Sequence, residues 1–164
     1  MRDFTINSGD WFVGKEFGKV VWKQMSDSAF DNNGLKSNKE AINFTISGIT
    51  KSDLSTFELR MPSWYIDSNN FVKARINGDI FELQALENGV LNTVSKSYPI
   101  DRNNLYTFTL TKQGNNVVAS IHKNSNQLNL ATLTYTTTLT GKGALAIETN
   151  KPQTYEALSI TEIP

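Results

Sequence analysis

Apolar side chains return at every second position through most of this chain, and that period leaves few ways to build a core. Ile42, Phe44 and Ile46 alternate with Asn43 and Thr45, and Phe57, Leu59 and Met61 alternate with Glu58 and Arg60. Val72, Ala74 and Ile76 alternate with Phe71, Lys73 and Arg75. The rhythm continues in Phe81, Leu83 and Ala85, in Tyr106, Phe108 and Leu110, and in Val117, Ala119 and Ile121. Successive side chains of a strand point to opposite faces, so such runs give half-buried strands, whereas an amphipathic helix needs a period near 3.6. No convincing helical pattern is present. Leu128 to Thr138, Gly143 to Thr149 and Leu158 to Ile163, rich in Thr, Leu, Ile and Ala, carry the strand reading to the end of the sequence.

Turn chemistry falls between these runs. Asn77-Gly78 joins two of them, and Asn-Gly readily takes the two positive φ values of a type I′ hairpin turn. Asn88-Gly89 and Gln113-Gly114-Asn115-Asn116 repeat the device, so strands are expected near 70–76, 80–86, 90–96, 105–112 and 116–123, arranged as a meander. Ser26 to Lys39, rich in Asp, Asn, Ser and Lys, reads as a long surface loop. Many short antiparallel strands at this spacing imply an all-β fold, a two-sheet antiparallel β-sandwich or a barrel. The protein has 164 residues and no internal repeat or low-complexity tail, so residues 1–164 are expected to form a single β-sandwich domain. A domain of this size buries roughly 70% of the surface it exposes when unfolded, so the absence of cysteine costs it nothing.

Sixteen basic residues balance sixteen acidic ones, and neither sign forms a block. Nucleic acid is therefore not an expected partner. No eighteen apolar residues follow one another, so insertion in a membrane as a helix is not expected either. The first residues, Met1 to Gly14, lack the apolar run of a secretory signal. The expectation is a product made in the cytoplasm without a signal peptide, with a virion as the alternative destination.

Several of these strings resemble the concanavalin A-like lectin/glucanase superfamily, the jelly-roll sandwiches that include laminin G-like domains and many bacterial carbohydrate-binding modules. They are Ile42-Asn43-Phe44-Thr45-Ile46, Phe57-Glu58-Leu59-Arg60, Arg75-Ile76-Asn77-Gly78 and Phe81-Glu82-Leu83-Gln84, then Leu105 to Leu110 with the Gln113 turn, and the closing Gly143 to Ile147 and Ala157 to Ile160. The resemblance covers much of residues 40 to 164 and concerns fold, not site. It implies sugar binding often, hydrolysis sometimes and structural adhesion in many cases.

Glycoside hydrolases of this superfamily place paired carboxylates on one strand to supply nucleophile and acid, and no such string occurs. Asp79 and Glu82, the nearest acidic spacing, follow a hairpin turn and read as a solvated edge. His122, the only histidine, is expected at an outward strand position and leaves little for a Ser-His-Asp arrangement. Gly14 to Lys19 has two glycines but no phosphate-binding signature and reads as a bend. No catalytic residue is assigned, and the protein is expected not to be an enzyme.

The binding candidates lie in Pro62 to Asn70, where two aromatics meet a polar run. A flat ring covers the apolar C–H face of a pyranose while carboxylates and amides fix hydroxyl directions. Trp64, Tyr65, Asp67, Asn69 and Asn70 are thus the candidate glycan-binding residues. The competing reading makes Trp64 a core plug and Asp67 to Asn70 an ordinary turn. Asp67, Asn69 and Asn70 are also the oxygen-bearing side chains that would help hold Ca2+, the one cofactor considered. Trp11 and Trp22 read as core, and the outward stripe Phe71, Lys73 and Arg75, facing Glu82 and Gln84, as a shallow binding face, a subunit contact or a solvated surface.

Two functions from different classes follow. The first is a non-catalytic, lectin-like module that recognises carbohydrate on a cell surface. The alternative is a structural or adhesion component of a bacteriophage virion, in a tail, baseplate or head accessory role, with other virion proteins or further copies of itself as partners.

Overall fold

The computed structural model describes residues 4–8, 11–16, 19–24, 33–52, 58–101, 104–149 and 153–164. The alternating runs become strands: β1 (Phe4–Ser8), β2 (Trp11–Glu16), β3 (Lys19–Gln24), β4 (Asn33–Ala41), β5 (Phe44–Ser52), β6 (Glu58–Asp67) and β7 (Asn70–Asn77). After them come β8 (Ile80–Glu87), β9 (Val90–Ser97), β10 (Tyr106–Gln113), β11 (Asn116–Lys123), β12 (Asn126–Thr136), β13 (Gly143–Thr149) and β14 (Gln153–Glu162). No helix occurs among the described residues. Sheet A has the order β1-β4-β13-β6-β7-β8-β9, sheet B the order β12-β11-β10-β5-β14-β3-β2, and the pairings are antiparallel.

Period two decides which side of each sheet is dry. Phe44, Ile46, Tyr106, Phe108 and Leu110 of sheet B meet Val72, Ile76, Phe81, Leu83 and Leu145 of sheet A in one buried cluster. Each such side chain removed from water contributes about 1.5–3 kcal/mol. The intervening residues of β7 and β10 stay half-buried on the outer faces.

Strands β7 to β11 follow the expected ranges closely, but the single meander expected for them is corrected: β7-β8-β9 closes the edge of sheet A, the chain then crosses to sheet B, and β10-β11-β12 forms a second meander there. The turns differ too. Only Asn88-Gly89 has two positive φ values, 52° and 81°, as a type I′ turn needs. In the β7–β8 hairpin Asn77 pairs with Ile80, so the turn residues are Gly78 and Asp79, and φ is positive at Gly78 alone. Gly114 plays the same part between Gln113 and Asn116. Both follow the type II′ pattern, with glycine first. A further difference concerns Ser26 to Lys39. Residues 33–39 are not loop but the first part of β4, held between β1 and β13; residues 26–32 lie outside the described residues. Leu35 is the one large apolar side chain that anchors that stretch inside, with Ser37 buried beside it.

Candidate functional site

β6 continues as a strand through the segment whose composition suggested a loop. Pro62 falls where the β6–β7 register shifts, between Arg60 and Ser63, and a bulge tolerates a residue that has no N–H to give. Trp64 and Tyr65 are consecutive in that strand, so they leave it on opposite faces.

Trp64 points inward, and its expected contact with a ligand is corrected: it is 0% exposed. Its Nε1–H donates to the Ala41 carbonyl oxygen at 2.9 Å, and its ring packs against Phe44 with centroids 6.1 Å apart. Gly143 makes room for it, because a Cβ there would stand 2.8 Å from Trp64 Cδ1 and Cε2. Lys112, on the inner side of β10, places Nζ 4.8 Å from the Trp64 ring centroid and donates to the Gly114 carbonyl oxygen at 2.8 Å. Burial pushes the Lys112 ammonium below its ordinary pKa, and the electron-rich indole face offsets part of that desolvation. Trp22 is core as expected, while Trp11 is half-buried against Tyr155.

Tyr65 points outward, 38% exposed, and the register sets its neighbours. Across sheet A, Ala144, Tyr65, Phe71, Leu86 and Leu91 stand opposite one another in one row. The next row is Ser63, Lys73, Gln84 and Thr93, and the next holds Arg75, Glu82 and Ser95. Tyr65 and Phe71 stack, with rings 11° from parallel and centroids 6.3 Å apart, and Lys73 Nζ lies 5.1 Å from the Phe71 centroid. Arg75 Nε donates to Glu82 Oε2 at 2.7 Å, and Gln84 Nε2 donates to the same oxygen at 3.4 Å. The outward stripe named from the sequence is therefore an apolar row beside two polar ones. Leu86 and Leu91 were missed, because only the cross-strand register carries them next to Tyr65 and Phe71.

Asp67, Asn69 and Asn70 lie at the end of this face, and they chiefly serve one another. Asp67 Oδ1 accepts from the Asn69 backbone N–H at 2.8 Å and from Asn70 Nδ2 at 3.0 Å. The Asn70 amide, then the Asn69 N–H, hold the Asp67 carboxyl below its ordinary pKa. Asn70 Oδ1 accepts from Asn88 N–H at 2.9 Å, and the Asn69 carbonyl oxygen accepts from Gly89 N–H at 3.1 Å. The turn expected from these residue types is present, and it clamps the neighbouring β8–β9 turn. Among the described residues no group of three or more His, Cys, Asp or Glu could hold a metal ion.

Asp79 sits in the β7–β8 turn, where its carbonyl oxygen accepts from Tyr98 N–H at 2.7 Å, and Glu82 is committed to Arg75. His122 lies half-buried on the outer side of β11, opposite Thr107 and Leu130. Beside the candidate face, Glu87 at the end of β8 reaches across to sheet B. It accepts from Tyr135 Oη at 3.1 Å, from Thr137 Oγ1 at 2.5 Å and from Thr138 N–H at 2.8 Å. Burial raises its pKa, but those donors outweigh burial and hold the carboxyl below its ordinary value.

No protein-family model matches the sequence, and no curated protein matches it either. Solved structures do match the fold. With the sheet order, they show the fold to be a two-sheet antiparallel, jelly-roll β-sandwich. The carbohydrate binding module CBM66 from Bacillus subtilis superposes with a TM-score of 0.67 at 16% identity, over 99% of this chain and 97% of that one. A β-glucanase from Bacillus licheniformis superposes at 0.64 with 13% identity, over 98% and 92% of the two proteins. The enzymatically active domain of tailspike protein 2 from bacteriophage CBA120 gives 0.73 at 10% identity, over 99% of this chain but 29% of that one.

Proposed function

We propose that this protein is a non-catalytic module that recognises carbohydrate on a cell surface through the outer face of sheet A. The observation that carries the reading is the stacked Tyr65–Phe71 pair standing on an outer sheet face beside Lys73 and Thr93 of the next row, whose Ser63 and Gln84 are buried and bonded within the protein. A pyranose offers an apolar face and a rim of hydroxyls, and this face supplies a counterpart to each. Asp67 and Asn70 shape its end, and Trp64 supports it from below as core. The non-catalytic part rests on Glu82, whose carboxylate is occupied by Arg75 at 2.7 Å. The full-length match to a carbohydrate binding module supports the same reading at the level of fold.

Retention on immobilised neutral and acidic polysaccharides tests it, with Tyr65→Ala as the variant. Stacking of a nucleobase on one aromatic side chain is worth roughly 1–3 kcal/mol; on the low end of that scale for the C–H face of a sugar, Tyr65→Ala should lose at least about fivefold in affinity. The melting temperature should change little. Equal retention of wild type and variant, retention of neither, or sugar release from the polysaccharide would each defeat the reading.

A second reading, a structural or adhesion component of a bacteriophage virion, is favoured by one observation. β12 is a free edge of sheet B with no charged residue from Asn126 to Thr136, and Leu128 and Leu130 are 96% and 55% exposed on it. An uncharged, exposed edge of this kind suits pairing with another protein strand. This reading requires a multimer, which the first does not.

A further inference from the structure

Two hairpin tips carry Asn-Gly, the sequence most open to attack of a backbone amide on the preceding side chain, because glycine puts no Cβ in the way. Asn77-Gly78 closes β7 and Asn88-Gly89 joins β8 to β9, and both asparagines are exposed. Their backbone surroundings differ. Gly89 N–H donates to the Asn69 carbonyl oxygen at 3.1 Å, and Asn88 N–H to Asn70 Oδ1 at 2.9 Å. Asp67 in turn holds the Asn70 amide with both carboxylate oxygens at 3.0 Å. At the other tip the Asp79 carbonyl oxygen is anchored by Tyr98 N–H and Asn77 pairs with Ile80 in the ladder, yet the Gly78 amide has no acceptor among the described residues.

We propose that Asn77 is a site of spontaneous deamidation and that the Asp67–Asn69–Asn70 turn protects Asn88 from the same reaction. The Gly78 nitrogen attacks Cγ of Asn77. A bond forms between that nitrogen and Cγ to close a succinimide, the Cγ–Nδ2 bond of Asn77 breaks, and ammonia leaves with the proton lost from the Gly78 amide. Water then opens either carbonyl of the ring, giving aspartate or isoaspartate. At Asn88 the attacking Gly89 nitrogen must first give up its bond to Asn69, and Asn88 must turn against its bond to Asn70. Losing a hydrogen bond of this kind reduces the reactive population by about fivefold. Conversion at position 77 sets a carboxylate two residues from Asp79, and the isoaspartyl product adds a methylene to the backbone of a two-residue turn.

The test incubates the folded full-length protein at mildly alkaline pH and follows both positions by peptide mass mapping, with isoaspartyl methyltransferase labelling to separate the two products. Wild type should convert at Asn77 at least about fivefold faster than at Asn88. Asn70→Ala should speed Asn88 by a similar factor and leave Asn77 unchanged. In denaturant the two sites should react alike. If Asn70→Ala merely loosens the whole fold, both positions accelerate together, and the clamp is rejected. Equal rates in the folded wild type, or no conversion at Asn77 beyond that at Asn88, overturn the proposal.

Discussion

The two outer faces of the sandwich are built by the same alternation and carry opposite kinds of side chain. At the centre of sheet B, on β5, β10, β11 and β14, short outward hydroxyls satisfy one another across strands: Thr45 with Thr111 at 3.0 Å, Ser47 with Ser159 at 2.8 Å and Thr109 with Ser120 at 2.6 Å. On sheet A the outward side chains are long or flat: Tyr65 against Phe71, Lys73 over Phe71, Arg75 on Glu82. A hydroxyl already bonded to its neighbour offers a ligand little that water does not, and it presents no apolar area. A ring standing on a sheet offers both area and shape. The contrast teaches that polarity alone does not make a sugar site, and it is the reason the proposal places binding on sheet A.

The largest expected effect tests whether the residue beside Tyr65 belongs to the inside. Trp64→Ala should cost about 3–5 kcal/mol, as truncation of a buried tryptophan does, read as a large drop in melting temperature. A Trp64→Ala protein that melts like wild type would return Trp64 to the outer face and dissolve the contrast between adjacent residues.

A smaller effect concerns the latch by which Glu87 ties the end of β8 in sheet A to β12 of sheet B and the residues after it. Glu87→Gln should cost about 1 kcal/mol near neutral pH, the low end for bonds to a charged group because this one is partly exposed. The Glu87 carboxyl has a lower pKa folded than unfolded. Its stabilisation is therefore full above the unfolded value and is lost as pH falls through the folded one. The gap in melting temperature between wild type and Glu87→Gln should accordingly close between about pH 6 and about pH 3. A gap that stays constant over that range would show that the latch does not depend on charge.

The smallest effect sharpens the comparison from the sheet B side. Removing both partners of one hydroxyl pair, Thr109→Val with Ser120→Ala, should be nearly neutral in stability, since neither group is left unsatisfied, whereas either change alone should cost roughly 0.5–1.5 kcal/mol. Polysaccharide retention should not change in the double variant. Loss of retention there would move the binding face to sheet B.

Much of the fold was legible because β7, β8, β10 and β11 keep strict alternation and glycine stands in the hairpin turns; the crossing from β9 in sheet A to β10 in sheet B was not, since both read as neighbours in one meander. β4 was not, since Asn33, Ser37, Asn38 and Lys39 look like loop until β1 and β13 pair on either side and bury Ser37. The site was half legible. Phe71, Lys73, Arg75, Glu82 and Gln84 share a face by parity alone, and that face is present. Tyr65 joins them only through the bulge at Pro62, which resets parity after Arg60 and sends Trp64 inward. A proline and a run of Asp and Asn residues hid that strand. The bonds of Asn69 and Asn70 to a turn some twenty residues away leave no trace in local composition.

Strand order also has a consequence for the ribosome. β13 lies between β4 and β6, and β14 lies between β5 and β3. The central partners of both sheets are therefore the last strands of the sandwich to be synthesised. The β6–β9 meander of sheet A and the β10–β12 meander of sheet B can each pair as they emerge, but β1 and β4 have no place in sheet A, nor β2 and β3 in sheet B, until β13 and β14 follow. Loop closure over such separations is slow, and open strand edges invite foreign partners meanwhile. A nascent domain of this topology spends the close of its synthesis as a half-built sheet with its N-terminal strands waiting, so a ribosome that stalls just before β13 would do it far more damage than one that stalls within either meander.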